Sequence, residues 1–359
     1  VALSSIEVDD DLGHAARRRS TALWIGGLSA GLVVTLVLAV GLGAVAISPA
    51  TVARIVGHHL LGLPGGTWTA AQESIVWRVR LPRVVLGALV GAGLAVCGVA
   101  LQAMVRNLLA DPYLLGVTSG ASTGAAAAIL FGLGAGFGEH ALSASAFLGA
   151  LGASVAVFLV ARAGGRLTSL RLLMAGVAVG YALYAATSFL IFAADSAEGA
   201  RSVLFWLLGS LSLARWAAPL AIVAVVVCLT VAALMIWGRR LDALAIGDET
   251  AHTLGVPPTR FRVHLLLVVS LCVGAVVAAS GGIGFIGLVI PHVARRFVGA
   301  AHGRVIPVAA LIGAIFLVWA DVAARTLLEP RELPIGIITA LVGAPFLLIL
   351  VRRFHATGA

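Results

Sequence analysis

Long apolar runs separated by short polar turns fill most of the chain. The run that organises the rest goes from Arg80 to Gly124, RLPRVVLGALVGAGLAVCGVALQAMVRNLLADPYLLGVTSGASTG. After the arginines comes an apolar stretch that meets the ~20 residues a membrane-spanning helix needs. It breaks at the polar turn RNLLADP, residues 106–112, and restarts as a second, glycine-rich run. Its apolar residues go all the way round a helix instead of forming one stripe, unlike the surface helix of a soluble domain. The pattern predicts a membrane hairpin.

The same ruler predicts ten spans: 21–47, 81–104, 112–132, 142–162, 171–194, 216–237, 263–280, 283–299, 305–328 and 334–351. They form one transmembrane domain, 21–353, between an N-terminal tail, 1–20, and a C-terminal tail, 354–359. The spans at 283–299 and 334–351 are short enough to be tilted, broken or partly re-entrant. Arg17, Arg18 and Arg19 precede the first run, and Ala44-Val45-Ala46 imitates a signal-peptide cleavage site. That run exceeds the ~7–15 residues of a signal-peptide core, so an uncleaved first span is expected. Residues 48–79 read as a polar connection holding His58, His59, Pro64 and Gly65-Gly66.

Composition agrees with this class. The chain is 61% hydrophobic and 11% charged, with a mean hydropathy of +1.09; soluble domains carry about 25% charged residues. All 24 basic residues are arginines. A P-loop needs a lysine for the β- and γ-phosphates, so this chain holds no conventional ATP site. Lysine Schiff-base chemistry is excluded in the same way. The formal charge of +9 is spread between apolar runs and describes topology, not nucleic-acid binding. With both termini in the cytoplasm, sixteen arginines fall inside and eight outside, as the positive-inside rule requires. Cys97, Cys228 and Cys272 sit singly in apolar runs and read as buried thiols.

The longest inner connection is 238–262, GRRLDALAIGDETAHTLGVPPTRFR. It predicts two short helices, around Leu241–Ile246 and Glu249–Leu254, with Asp248 capping the second. Such a surface element suits partner docking, with a plain linker as the alternative. Gly282-Ile283-Gly284-Phe285-Ile286-Gly287 fits the dinucleotide fingerprint, but lies between apolar spans without a preceding strand. A broken helix or close backbone approach is expected there instead. Gly116, Gly120 and Gly124 recur every four residues, the small-residue pattern of a helix interface. Asp321 and Arg325 share a helix face in an apolar segment, either as a structural ion pair or as a substrate or docking charge. Intramembrane carboxylates are too few for a proton relay. His292 reads as a hydrogen-bonded structural histidine, and the nine histidines form no metal-ligand spacing.

Seven segments together resemble the permeases of the FecCD/BtuC family of ABC importers, which carry iron–siderophores, haem or cobalamin. They are RLPR at 80–83, ALQAMVRNLLADPYLLGVTSGAS at 100–122, FWLLGSL at 205–211, GDETAHTLGV at 247–256, SGGIGFIGLVIPHVARR at 280–296, ADVAAR at 320–325 and ELPIGIITALVGAP at 332–345. The resemblance implies an all-α, BtuC-like type II importer domain of about ten helices. It acts as a homodimer, or with a close paralogue, in the bacterial inner membrane. Two separate ATPase chains hold the ATP and magnesium, a binding protein docks outside, and this chain itself holds no cofactor or metal.

Residue by residue, the resemblance places docking arginines at Arg80, Arg83 and Arg325. It places a cytoplasmic gate at Asn107, Leu109, Ser169 and Leu170. It places ATPase coupling on Gly247, Asp248, Glu249, Thr250, Ala251, His252, Thr253, Leu254, Gly255 and Val256. The gate turn departs from the family's RNPLADP, since Leu108 replaces the first proline and removes one φ restraint. The expected activity is import of an iron(III)–siderophore complex, with haem or cobalamin as alternative cargoes. An ATP-independent transporter or channel is the rival class; a membrane enzyme would need a polar catalytic cluster, which the sequence lacks.

Overall fold

The structure, a computed structural model, describes residues 14–163, 165 and 167–356. Residues 1–13 and 357–359 of the expected tails, and the topology arginine Arg166, lie outside the described residues. Helix α1 (His14–Gly41) begins inside the expected N-terminal tail and stops before the apolar run does. The run continues as an extended link because Ser48 and Pro49 start a new helix. Ser48 accepts a hydrogen bond from the Thr51 amide, Pro49 takes the first helical position, and α2 (Pro49–Leu61) ends on left-handed Gly62.

The expected polar connection 48–79 is therefore partly helical. A capping box at Thr69 and Gln72 opens the short α3 (Ala70–Glu73). A π-helical stretch, Ser74–Arg80, then leads directly into α4 (Leu81–Val105). Pro82 explains the wide turn: it has no N–H to donate back, and its ring pushes against the preceding turn. Helix α4 is the axis of the bundle, with 78% of its most apolar window buried. Around it lie α5 (Val117–Phe131), α6 (Ala141–Ala163), α7 (Ser169–Phe192), the short α8 (Ala197–Leu207) and α9 (Ala218–Ile236). The inner connection forms α10 (Gly238–Ile246) and α11 (Asp248–Thr253), followed by α12 (Pro258–Ser280), α13 (Ile286–Val298), α14 (His302–Thr326) and α15 (Ile335–Ala356).

Among the described residues, seven helical rods are long and apolar enough to cross a membrane, those of α1, α4, α6, α7, α9, α12 and α14. The shorter α5 and α13, together with α15, occupy the other three expected spans. The expected break at 283–299 is real. Gly281 and Phe285 both have positive φ, and the chain runs extended between α12 and α13. The connection 195–215 also carries structure that its sequence did not predict: α8 is a half-helix ending inside the bundle. Its last carbonyls are not wasted, because Gly336 N donates to Leu208 O at 3.0 Å and Ile335 N to Gly209 O at 3.3 Å. One helix's orphan acceptors thus meet another's orphan donors, as a membrane interior demands.

Glycines set the closest contacts, as their spacing predicts. A Cβ on Gly120 would collide with the Gly149 carbonyl and one on Gly124 with the Ser145 carbonyl, so both glycines serve the α5–α6 interface. Gly116 instead turns left-handed at the start of α5 and faces α7.

At the end of the bundle expected to face outward, here the outer end, α4 and α14 are joined by charge. Arg83 donates through Nε and Nη2 to Asp321 at 2.9–3.1 Å, and through Nη1 to Glu332 at 3.0 Å. Asp321 is 2% exposed, whereas the Glu332 side chain is 49% exposed. Breaking a buried pair by removing one partner costs about 3–5 kcal/mol, against about 0–1 kcal/mol for an exposed one. Asp321→Ala is therefore expected to lower the unfolding temperature of the detergent-purified protein strongly, and Glu332→Ala only slightly. Equal effects in a thermal melt would show that the buried pair does not anchor α4 to α14.

Candidate functional site

Two polar constellations stand at opposite ends of α4. The outer one collects the three arginines that the sequence offered for docking. Arg80 donates through Nη1 to Val40 O at 3.0 Å and Gly41 O at 3.1 Å, and through Nη2 to Val45 O at 2.8 Å. Arg325 donates to Leu42 O at 3.0 Å and to Ala39 O. Both side chains are buried, and together they close the C-terminal carbonyls of α1, which have no partner within their own helix. The i,i+4 pair expected from spacing is present but secondary: Arg325 Nε lies 3.5 Å from Asp321, whose main partner is Arg83. The guanidiniums of Arg80, Arg83 and Arg325 are thus engaged within the chain. Arg54, Arg78, Arg201, Arg215 and Arg331 are the exposed arginines of the same end.

The inner constellation begins at the gate turn. Helix α4 stops because Arg106 adopts the left-handed conformation, with φ 52°. Asn107 then organises the turn from its side chain, its Oδ1 accepting from the Leu109 amide at 2.9 Å. Asp111 repeats the device, accepting from the Tyr113 amide at 2.9 Å. Two side-chain caps thus shape the turn where Leu108 supplies no proline restraint. The Leu108 carbonyl also accepts from His292 Nε2 at 2.8 Å, which gives that histidine the structural role its sequence suggested. Gln102 closes the turn from within, facing the Ala110 carbonyl through Nε2 and accepting from Arg295 at 2.6 Å.

The residues expected to couple and those expected to gate meet at one side chain. Arg262, on the first turn of α12, has no solvent exposure. Its Nη1 and Nη2 form a bidentate pair with Asp248 at 2.8 and 2.7 Å. Nη2 also donates to Ser169 Oγ at 3.0 Å, Nε to Met104 O at 3.3 Å and Nη1 to Leu167 O at 3.4 Å. Ser169 in turn donates to Met104 O at 3.2 Å. One guanidinium therefore joins α11, the C-terminal end of α4 and the entry to α7. Arg106 extends the contact, since its Nη1 lies 3.5 Å from where a Cβ on Gly247 would sit.

This geometry corrects the capping expectation. Gly247 occupies the N-cap of α11 and provides no side chain, while the Asp248 carboxylate turns to Arg262. Within the expected coupling stretch, Ala251 and Val256 are buried anchors. Glu249, His252, Thr253, Leu254 and Gly255 are exposed, and Thr250 is half-buried. Ile246 and Leu254 expose 70% and 62% of their surface, an apolar pair on an otherwise polar segment. Of the gate residues, Ser169 is locked into the Arg262 network, and Leu109 and Leu170 are exposed.

The α10 side of the segment is fastened independently. Asp242 accepts from the His302 amide at 2.8 Å and from His302 Nδ1 at 2.6 Å, capping α14. Burial pushes the Asp242 carboxyl upward, but the hydrogen bonds and charge of His302 outweigh it and hold it below its ordinary range. A depressed carboxylate stabilises above its unfolded pKa, so this fastening persists through neutral pH and is lost only as the pH falls below the ordinary carboxylate range.

Comparisons with known proteins agree with this layout. The sequence pattern of the FecCD transport family matches residues 31–353. The cobalamin import system permease protein BtuC of Halobacterium salinarum is 46% identical over 281 residues, covering 78% of this chain and 74% of that protein. The hemin transport system permease protein HmuU of Yersinia pestis is 40% identical over 293 residues, covering 80% of this chain and 86% of that protein. A solved structure described as an inward-facing conformation of a metal-chelate type ABC transporter superposes with a TM-score of 0.80 at 34% identity. It covers 92% of this chain and 98% of its own.

Hydrogen bonds to charged groups contribute about 1.5–3 kcal/mol each, and about 1.4 kcal/mol is tenfold in an equilibrium. Arg262→Gln is therefore expected to raise hydrogen–deuterium exchange across 247–256 by roughly tenfold or more. Asp248→Asn, which keeps the shape and loses the charge, should produce a smaller rise in the same peptides. Unchanged exchange in both variants would mean that the segment is held by Ala251 and Val256 alone.

Proposed function

The chain belongs to the FecCD transport family of ABC importer permeases, and we propose that it passes an iron(III)–siderophore complex into the cytoplasm. In this reading two copies form a homodimer in the bacterial cytoplasmic membrane, with both termini inside, which the arginine distribution supports. The apolar faces of α7 and α15, with Met174, Phe189, Leu341 and Leu348 exposed, suit cover by lipid and a second copy. Two ATPase chains bind ATP and magnesium below, and an extracytoplasmic binding protein delivers the cargo above.

The observation that carries this reading is the Arg262 junction. An exposed segment with an apolar pair is tied through one buried cation to the gate-bearing ends of α4 and α7. Closure of the ATPase dimer would move α10–α11, and the Asp248–Arg262 pair would pass that displacement to Ser169 and to the turn holding Asn107 and Leu109. At the outer end an acidic side chain of the binding protein would meet the exposed arginines first. Arg83 is reachable by exchange for half-exposed Glu332, whereas Arg80 and Arg325 support the rim from beneath.

The 46% identity to a cobalamin permease favours cobalamin as a second cargo. Other relatives are named for hemin and for iron(III) citrate. Competing uptake of radiolabelled chelates by cells carrying the complex distinguishes these cargoes.

In proteoliposomes with its ATPase, the protein is expected to show hydrolysis stimulated by the loaded binding protein. Ile246→Asp with Leu254→Asp should abolish co-purification of the ATPase while leaving thermal stability nearly unchanged, because both side chains are exposed. Uptake that continues without the ATPase and collapses with the ion gradient would overturn the proposal.

A further inference from the structure

Most buried hydroxyls here are satisfied one helical turn back: Ser122 donates to Thr118 O, Ser154 to Ala150 O and Ser280 to Val276 O, each at 2.9 Å. Among the described residues, the buried hydroxyls of Thr118 and Ser270 have no hydrogen-bond partner, and that of Tyr113 meets only the Ile283 backbone amide, which leaves its own O–H donor open. Ser270 lies apart on α12. Tyr113 and Thr118 line one cavity of 270 Å³ between α5, α7 and α8, together with Ser119, Tyr184 and Ser188. Thr118 is 92% buried, at 8% exposure.

The placement of this cavity is specific. A Cβ on Gly282 would sit 3.8 Å from both the Tyr113 hydroxyl and the Thr118 methyl, so the two side chains flank the non-helical segment between α12 and α13. Extended backbone at membrane depth is tolerated where it is enclosed by protein or borders a polar cavity. The cavity opens towards Tyr184 and Ser188 on the exposed face of α7, next to α8. Hydroxyls line it, and no charged side chain does. A carboxylate or phosphate would enter without a counter-charge, which burial penalises heavily. An amide, hydroxamate or alcohol group can accept from the Tyr113 O–H and both give to and accept from the Thr118 hydroxyl.

We propose that this cavity is a contact site on the transport path for the uncharged hydrogen-bonding groups at the edge of the cargo, with Tyr113 and Thr118 as its recognition residues. The inference rests on the importer reading and narrows its cargo. The cavity holds one such group of a chelate, not the whole molecule. It favours neutral, amide- or hydroxamate-rich complexes over those whose edge is all carboxylate.

The test uses the complete complex with its ATPase and binding protein in proteoliposomes. The probes are a neutral iron(III) tris-hydroxamate chelate and cyanocobalamin, and the readout is uptake per ATP hydrolysed. Tyr113→Phe and Thr118→Val remove only the hydroxyls, and the double variant is expected to lower that ratio by about tenfold, the effect of one to two lost hydrogen bonds. Thr118→Ser keeps the hydroxyl, loses the methyl and should stay near wild type. A packing role gives the reverse pattern, with uptake lost in Thr118→Ser and kept in Thr118→Val, and overturns the site. Wild-type uptake that persists unchanged in the double variant also overturns the site alone. Wild-type vesicles that import neither probe overturn the site, and if the loaded binding protein also fails to stimulate hydrolysis the importer reading falls with it.

Discussion

A guanidinium with no solvent exposure is the constraint on which the inner end of this protein depends. Arg262 is permanently charged, and its burial is tolerated because it is surrounded by acceptors: a bidentate carboxylate, a hydroxyl and two carbonyls. Those acceptors belong to separate segments of the chain. Each segment must therefore stay in place for the charge to stay satisfied. Moving α11 without moving the α4 and α7 ends would strand a buried cation, and that penalty makes the group behave as one body.

The outer end applies the same chemistry to a different problem. A membrane helix that stops leaves carbonyls without partners, and lipid offers no water to satisfy them. Arg80, at the end of the π-helical stretch, and Arg325, on α14, reach across to close the last turn of α1. A planar, five-donor fork can serve two or three carbonyls at once, which a lysine ammonium on a flexible stem does less well. The exclusive use of arginine in this chain fits that demand at both ends.

Much of this was legible in the sequence, for identifiable reasons. Span positions follow from all-round apolar runs, and the two short helices of 238–262 from the glycines and Pro257 that bound them. The small-residue interface at Gly120 and Gly124 follows from spacing. Helix α8 stayed hidden because a half-helix is too short to announce itself and is completed by amides from α15, more than a hundred residues away in the chain. Arg262 stayed hidden because its importance is entirely long-range: Met104, Leu167 and Ser169 are distant in sequence. Asp248 misled for the opposite reason. Its local position fits a cap, but a buried cation competes for the same carboxylate and wins on charge.

The two ends differ in what must break for them to move. Outside, α1, α4 and α14 are cross-linked by Arg80, Arg83 and Arg325 through several independent bonds, so separating any pair costs several at once. At the other end, the expected gate turn is held by its Asn107 and Asp111 caps, by His292 on the Leu108 carbonyl and by Arg295 on Gln102, beside one cluster centred on Arg262. A force applied at α11 enters that cluster directly, while the outer rim resists it. Load on α11 therefore meets one buried cation, whereas load between α1, α4 and α14 is shared among three.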